Sequence, residues 1–250
     1  MKSLLPLSRS HQKICLSTVK KTLPLWKALS RYHQYDVSGI ENIPRKGRAM
    51  IVVNHSLATY DVLLLQTAIY KTLNRVPRPL VDHLFFKVPY LGPLAERLGA
   101  VEGNPENAGR LLRAGELLTI APGGMKEALM PSDQKYQICW SERKGFARLA
   151  IETKTPVVIA VCPKADELYK IYPSYLSDFI YHKFKIPFFI ARGLGPTLIP
   201  KPVPLKHHLS ASIRPPRMIE DPVKREKQIE RFHKKLVKTA EDLIQASISI

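Results

Sequence analysis

A histidine and an aspartate lie six residues apart just after a short apolar run. The run 50–53 has the composition of a buried strand, His55 follows its end, and Asp61 begins a predicted helix. An imidazole can remove a proton from a hydroxyl group at neutral pH, and a nearby carboxylate stabilises the charged ring that results. The pair predicts general-base chemistry, with an ordinary surface or core histidine as the alternative.

Two glycines follow a second apolar run, 117–121, in the sequence Pro122-Gly123-Gly124. Because glycine has no β-carbon, its backbone N–H group can approach a ligand closely, and such groups stabilise a developing oxyanion. Glu127 stands three residues further along, and it would be close to a bound ligand if this loop forms the wall of a pocket. A plain turn between a strand and a helix is the alternative interpretation of the glycines.

A pair of cations, Arg143 and Lys144, stands at the start of a predicted helix, 144–153. Phosphate groups bind well near helix N-termini and to paired cations, so these two side chains are candidates for holding phosphates. A solvated basic turn is the alternative, because charged runs are common on protein surfaces.

Short apolar runs alternate with helical patterns along most of the chain. This alternation predicts an α/β fold, a sheet with helices on its faces. Between 163 and 222 the chain is rich in proline and is predicted to be mostly irregular. The predicted strands are 50–53, 80–81, 117–121, 157–161 and 209–213, and the predicted helices are 61–70, 94–98, 107–112, 144–153 and 224–244.

The charge of the chain is strongly positive, at +18 for 250 residues. Residues 1–33 contain seven cations and no acid, with apolar residues between them, which predicts a basic amphipathic helix from about Ser10 that Pro24 bends or splits. Such a segment can lie in a lipid interface or pack on its own domain. No run is long enough for a membrane span, and no signal peptide is apparent.

The same charge leaves nucleic acid as a second class of partner, but no pattern typical of a nucleic-acid-binding module is present. The three cysteines, Cys15, Cys139 and Cys162, are too few and too scattered to predict a disulfide scaffold or a four-ligand zinc site. A composition of 45% apolar residues excludes disorder as the main state.

Taken together, the motifs resemble those of the glycerolipid acyltransferase superfamily, and most closely its type-2 diacylglycerol acyltransferase group. The resemblance covers about residues 36–245 and implies a mixed sheet flanked by helices in an acyltransferase domain, 36–250, after a membrane-associating segment, 1–35. The matching stretches are His55-x5-Asp61, Asp-His-Leu-Phe-Phe-Lys-Val-Pro at 82–89, Pro-Gly-Gly-Met-Lys-Glu-Ala-Leu at 122–129, Arg-Lys-Gly-Phe at 143–146, and the stretches 155–158 and 181–188.

The resemblance implies acyl transfer from acyl-CoA to a lipid hydroxyl, with His55 as general base and Asp61 orienting its ring. It implies no metal and no cofactor apart from acyl-CoA as co-substrate. The expected partners are a membrane lipid surface facing the cytoplasm and the two lipid substrates, without nucleic acid. The residues for which it implies substrate binding are Pro122, Gly123, Gly124, Lys126, Glu127, Arg143, Lys144, His83 and Lys87.

Two departures from the family bear on the acceptor and on the membrane. Members that recognise a phosphate carry Phe-Pro-Glu-Gly-Thr-Arg where this chain has Ala-Pro-Gly-Gly-Met-Lys at 121–126, and an arginine where 101–104 has none. An uncompensated phosphate in a partly apolar cleft is costly, so we expect mono- or diacylglycerol as acceptor. Lysophosphatidate stays open as an alternative, as does a non-catalytic lipid- or nucleic-acid-binding protein. The relatives also carry N-terminal membrane spans, and none is visible here.

Overall fold

The computed structural model describes residues 14–140, 143–172 and 190–248. Helices and strands alternate through most of this part of the chain. The helices are α1 (Leu16–Tyr32), α2 (Tyr60–Leu73), α3 (Leu91–Arg97), α4 (Pro105–Arg113), α5 (Gly124–Ala128), α6 (Gly145–Thr153) and α7 (Pro222–Ile248), and the strands are β1 (Asp36–Ser38), β2 (Ala49–Val53), β3 (Arg78–Val81), β4 (Val101–Glu102), β5 (Leu117–Ile120), β6 (Val157–Val161), β7 (Lys170–Tyr172), β8 (Ile190–Arg192) and β9 (Lys206–Leu209).

A mixed sheet with the strand order β1-β9-β6-β2-β5-β3-β4 forms the centre of the described structure. All neighbouring strands in it are parallel except β6 and β9, which are antiparallel. A separate antiparallel pair joins β7 and β8. Because β5, β2 and β6 are adjacent and parallel, the loops that follow their carboxyl ends meet at one edge of the sheet.

Strand β2 is covered on both faces, which explains why all five of its residues are apolar and buried. Met50 and Val52 pack in a core with α4, α6 and α7, whereas Ile51 and Val53 pack on the opposite face against α2. In the register of the sheet, Val52 lies beside Ile120 of β5. The loop that follows β2 therefore begins at the end of a strand that is packed on both faces.

The predicted α/β class is confirmed, and the predicted helices and strands are present with small shifts of their ends. Strand β9 lies at Lys206–Leu209, earlier than the predicted 209–213, and Ile213 makes only an isolated bridge to Val157. Strand β1 and the β7–β8 pair were not predicted, because three-residue strands lack a readable alternation. Helix α1 runs from Leu16 through Pro24 without a break, and the earlier residues of the predicted helix lie outside the described part. Among the described helices, none is both long and apolar enough to cross a membrane.

Candidate functional site

A cleft lies at the sheet edge where the loops after β2, β5 and β6 meet. The space between these loops measures about 320 Å³, including solvent at its open mouth. The loop after β2 contributes 55–57, the stretch after β5 contributes 127–135, and the stretch after β6 contributes 165–171. A hydrogen bond from the Cys162 amide to the Asn54 side chain, at 3.0 Å, ties two of these strand ends together. The segments that follow β2 and β6 are therefore joined where they leave the sheet.

His55 lines this cleft and has a defined ring orientation. Its Nδ1 lies 2.8 Å from the Ser56 carbonyl oxygen. A carbonyl oxygen only accepts hydrogen bonds, so the proton of the neutral ring is on Nδ1, and Nε2 keeps its lone pair. Burial lowers the pKa of His55 below its usual value, against smaller opposing effects of the Ser56 carbonyl and the Asp61 carboxylate. The ring therefore favours the neutral form that acts as a base.

Asp61 is fully buried in the first turn of α2, and Ser56 links it to His55. The Ser56 hydroxyl donates to Asp61 Oδ1, while the Ser56 carbonyl accepts from the His55 ring. Among the hydrogen bonds of the described residues, the partner of the ring is thus Ser56, and Asp61, which was expected to orient the ring, bonds to Ser56. The carboxylate acts on the ring through this one residue and through its charge.

His207 of β9 lies on the other side of the Asp61 carboxylate and was not predicted. Its Nε2 is 3.4 Å from Asp61 Oδ2, and its Nδ1 is 3.0 Å from the Tyr35 hydroxyl. Burial holds the pKa of Tyr35 well above its usual range, so the hydroxyl keeps its proton and can donate to Nδ1. Nε2 is thus the ring nitrogen nearest Asp61, and neither it nor Asp61 Oδ2 makes a hydrogen bond within the described structure. No local motif marks His207, because 146 residues separate it from Asp61 in the chain.

Glu127 holds the backbone of His55. Its Oε2 accepts hydrogen bonds from the His55 amide at 3.0 Å and from the Trp140 indole at 3.2 Å, and its Oε1 accepts from the Cys139 amide at 3.2 Å. Burial raises the pKa of Glu127 to about 7, although these three donors oppose the shift. The carboxylate thus joins the loop after β2 to the segment before α6.

The glycine turn after β5 is shaped by the approach of Glu127. A β-carbon on Gly123 would lie 2.1 Å from Glu127 Oε2, so only glycine fits there. Gly124 has a positive φ of 54°, and its amide donates to the Ala121 carbonyl at 3.2 Å. That amide is therefore occupied within the turn, and the oxyanion role of amides around Gly123 and Gly124 stays a prediction. Pro122 is buried at the start of the turn.

Asp166 is a second carboxyl group in the cleft that sequence reasoning missed. It lies in the 3₁₀ turn after β6, and its Oδ2 accepts a hydrogen bond from the Tyr136 amide at 2.8 Å. Burial raises the pKa of Asp166 to about 6. Carboxyl groups with raised pKa values in a cleft are typical of functional sites. Lys135 is the one cation among the described lining residues.

The predicted basic residues lie outside the described lining of the cleft. Lys126 and Arg143 are exposed near it in sequence, and Lys144 makes an ion pair with Glu230 at 2.5 Å. His83 and Lys87 lie on an exposed surface segment between β3 and α3. In this segment, His83 Nδ1 lies 3.3 Å from Asp82 Oδ1.

One group among the described residues has the side chains and spacing to hold a metal ion. Asp61, Cys162 and His207 are all buried, and one ligand atom from each lies within 4.8 Å of the others. Burial raises the pKa of the Cys162 thiol well above its usual value. The three side chains form a buried polar cluster behind Ser56.

Comparisons with known proteins agree with this fold and these motifs. A family model described as Acyltransferase matches residues 34–162. The proteins named "DGAT1/2-independent enzyme synthesizing storage lipids" from Bos taurus and Homo sapiens are each 33% identical over 198 residues, which cover 77% of this chain and 59% and 61% of those proteins. The chain thus spans about three fifths of the length of these relatives.

A solved structure also resembles the chain. The 1-acyl-sn-glycerophosphate (LPA) acyltransferase PlsC from Thermotoga maritima matches with a TM-score of 0.58 and 16% identity, covering 90% of this chain and 79% of that one. That similarity is one of fold. Because the family model matches more than half of the chain and its motifs agree, the chain belongs to the acyltransferase family, within the glycerolipid acyltransferase superfamily.

Proposed function

We propose that this chain transfers a fatty acyl group from acyl-CoA to a hydroxyl group of a neutral glycerolipid, a mono- or diacylglycerol. The observation that supports this most is the state of His55. Its ring lines a cleft, its Nδ1 is committed to the Ser56 carbonyl, and burial lowers its pKa. A neutral imidazole with a free Nε2 is the form that a general base requires.

The reaction follows from that form of the ring. His55 Nε2 takes the proton of the acceptor hydroxyl while the oxygen attacks the thioester carbonyl carbon. The new C–O bond forms, the C–S bond breaks, and the leaving thiolate of coenzyme A receives the proton from the imidazolium. No covalent acyl-enzyme intermediate is needed. The Asp61 carboxylate favours the imidazolium through its charge, since it is one of the groups that raise the pKa of His55.

Glu127 and Ser56 act as positioning residues in this proposal. Glu127 holds the His55 amide, and the Ser56 carbonyl holds the ring nitrogen, so backbone and side chain of the base are both anchored. Such anchoring matters because small displacements of a base reduce its rate strongly. Ser56 is given no nucleophilic role in this proposal, and its hydroxyl donates to the buried Asp61.

The charge of the cleft favours a neutral acceptor. Glu127 and Asp166 line it, and Lys135 is the one cation among its described residues. A phosphate beside two carboxyl groups would meet repulsion or force them to bind protons. A glycerol hydroxyl has no such conflict.

The acyl donor, acyl-CoA, and the membrane are proposed to bind surfaces outside the cleft. Lys126 and Arg143 are exposed and are proposed to contact the phosphates of coenzyme A, whereas Lys144 would first have to leave Glu230. The basic helix α1 contains no acidic residue and is proposed to hold the chain peripherally on the cytoplasmic face of a membrane. Nucleic acid is not proposed as a partner.

The test replaces the base and keeps its size and polarity. His55→Gln is expected to lower acyl transfer from acyl-CoA to monoacylglycerol by about a hundredfold or more, since glutamine cannot accept the proton. His208→Gln is the matched control, because His208 is a half-buried histidine outside the described lining of the cleft. Full turnover by His55→Gln would refute the assignment of the base.

The acceptor is tested separately. Equal amounts of monoacylglycerol, diacylglycerol and lysophosphatidate are offered with one labelled acyl-CoA. We expect the label in the neutral products. A strong preference for lysophosphatidate would overturn the argument from the charge of the cleft and leave the acyl-transfer chemistry standing.

A further inference from the structure

A patch of exposed apolar side chains lies on the segment between β3 and α3 and on α3 itself. Exposed apolar residues usually occur singly, and a cluster marks an interaction surface. This cluster, called the 84–94 patch below, consists of Leu84, Phe85, Val88, Tyr90, Leu91 and Leu94, each at least 39% exposed.

Tyr90 is the most exposed member of the patch, at 90%. Its φ of 64° and ψ of −42° form a tight turn in which the Leu91 amide donates to the Pro89 carbonyl at 2.7 Å. A bulky residue rarely adopts a positive φ, and such strain persists mainly where it has a use. Here the strained turn presents an aromatic ring, with its hydroxyl, to solvent.

The backbone beneath the patch is packed tightly at Gly92. A β-carbon at Gly92 would lie 2.4 Å from the Phe86 carbonyl oxygen, so the 3₁₀ turn Phe85–Lys87 and helix α3 pack without room for a side chain. The Gly92 amide also donates to the Val88 carbonyl at 3.0 Å. The backbone that bears the exposed side chains is therefore closely packed.

The charge within the patch is positive, and the acids Asp82 and Glu96 lie at its two ends in the sequence. Between Asp82 and Glu96 there is no acidic residue, and Lys87 is exposed within the patch. The N-terminal end of helix α1 adjoins the end of α3, where the Cys15 amide donates to the Arg97 carbonyl at 2.9 Å. Helix α1 in turn exposes four cations, Lys20, Lys21, Lys27 and Arg31, and has no acid.

Apolar side chains, an exposed tyrosine and neighbouring cations are the combination that binds the interface of an anionic membrane. Apolar groups enter the headgroup boundary, tyrosine rings prefer that depth, and cations meet anionic lipids. We propose that the 84–94 patch inserts into the interface of an anionic phospholipid bilayer beside helix α1. The choice of a bilayer as the partner rests on the proposed lipid acyl transfer, but the binding itself does not require turnover.

The experiment compares sedimentation of the full chain with phosphatidylcholine vesicles and with mixed phosphatidylcholine–phosphatidylserine vesicles. The key variant is Tyr90→Gly, because glycine accepts the positive φ, so the folded state is retained while the ring is lost. The matched control is Val223→Ser, which removes another exposed apolar side chain, 67% exposed, from α7. The midpoint of thermal unfolding is recorded for each protein.

We expect the wild type to bind the mixed vesicles, and to bind more weakly to phosphatidylcholine alone and at high salt. Tyr90→Gly is expected to bind the mixed vesicles about tenfold more weakly, as befits losing one large interfacial side chain, with an unfolding midpoint that is unchanged or higher. Val223→Ser is expected to bind as the wild type does. Wild-type binding by Tyr90→Gly, or no vesicle binding by the wild type, would overturn the proposal.

His55→Gln separates this proposal from the proposed function. It is expected to bind vesicles like the wild type and to fail in acyl transfer. If Tyr90→Gly kept full vesicle affinity while His55→Gln was inactive, the patch would be refuted and the enzymatic proposal would stand. If His55→Gln was fully active while Tyr90→Gly lost affinity, the patch would stand without the assigned base.

Discussion

Replacing Glu127 by glutamine tests whether burial controls the proton of the carboxyl group that holds His55. Glu127 is 5% exposed and accepts hydrogen bonds from the His55 amide, the Trp140 indole and the Cys139 amide. Glutamine keeps the shape of the side chain but has no proton to bind in this range. The NH₂ group of glutamine also faces one or more of these three donors. This contact destabilises the folded variant by the same free energy at every pH.

The size of the effect follows from the pKa. Burial raises the pKa of Glu127 from the ordinary 4.5 to about 7. The free energy of binding a proton to Glu127 therefore differs by about 3 kcal/mol between the folded and the unfolded protein. The folded protein therefore binds a proton that the unfolded chain has released. The contribution to stability is complete below pH 4.5 and is lost as the pH rises through about 7. Over that interval, the free energy of unfolding of the wild type falls relative to that of the glutamine variant by about 3 kcal/mol.

The assay is urea unfolding followed by tryptophan fluorescence, at pH values from below 4.5 to above 7. Trp140 is fully buried and contacts Glu127, so its emission reports on this part of the fold. Glu152→Gln, at an exposed position of α6, controls for the change of charge itself. A difference between wild type and Glu127→Gln that stays constant with pH would refute the raised pKa.

Two further changes test the packing around the base. Gly123→Ala is expected to displace the Glu127 carboxylate, because the added β-carbon would lie 2.1 Å from its Oε2, and to destabilise the fold by about 1–3 kcal/mol in the same urea assay; wild-type stability with wild-type turnover would contradict the tight approach. His207→Leu removes the ring nitrogen that lies 3.4 Å from Asp61 Oδ2 and is expected to cost about 1–3 kcal/mol and to lower the kcat of acyl transfer, whereas His207→Gln supplies a donor and is expected to restore much of both. Equal stability and kcat for the two variants would argue against a polar role of His207.

Local patterns predicted most of the central sheet. Strands β2, β5 and β6 are short apolar runs bounded by polar or turn residues, and parallel strands covered on both faces require that composition. Strand β1 was missed because its pairing with β9 joins residues 170 apart in the chain, such as Asp36 and Lys206. No periodicity within three residues can indicate such a partner.

For the candidate site too, the sequence predicted some features and not others. His55, Asp61 and Glu127 stand in recognisable motifs, and the order of parallel strands brings His55 and Glu127 into hydrogen-bond contact across 72 residues. The manner of their contact was not readable, because it depends on side-chain directions. Ser56 lies between the imidazole and the carboxylate, and the glutamate holds a backbone amide.

The sequence alone indicated candidate residues for proton transfer, the basic amphipathic helix and the class of fold, because these depend on composition and local spacing. Only the tertiary structure decided which nitrogen of His55 is free, since that depends on the carbonyl oxygen beside it. It also decided that His207 lies beside Asp61, that Asp166 lines the same cleft as His55, and that burial raises the pKa of Glu127. Burial and through-space contact arise when distant segments pack, so no stretch of the sequence contains them.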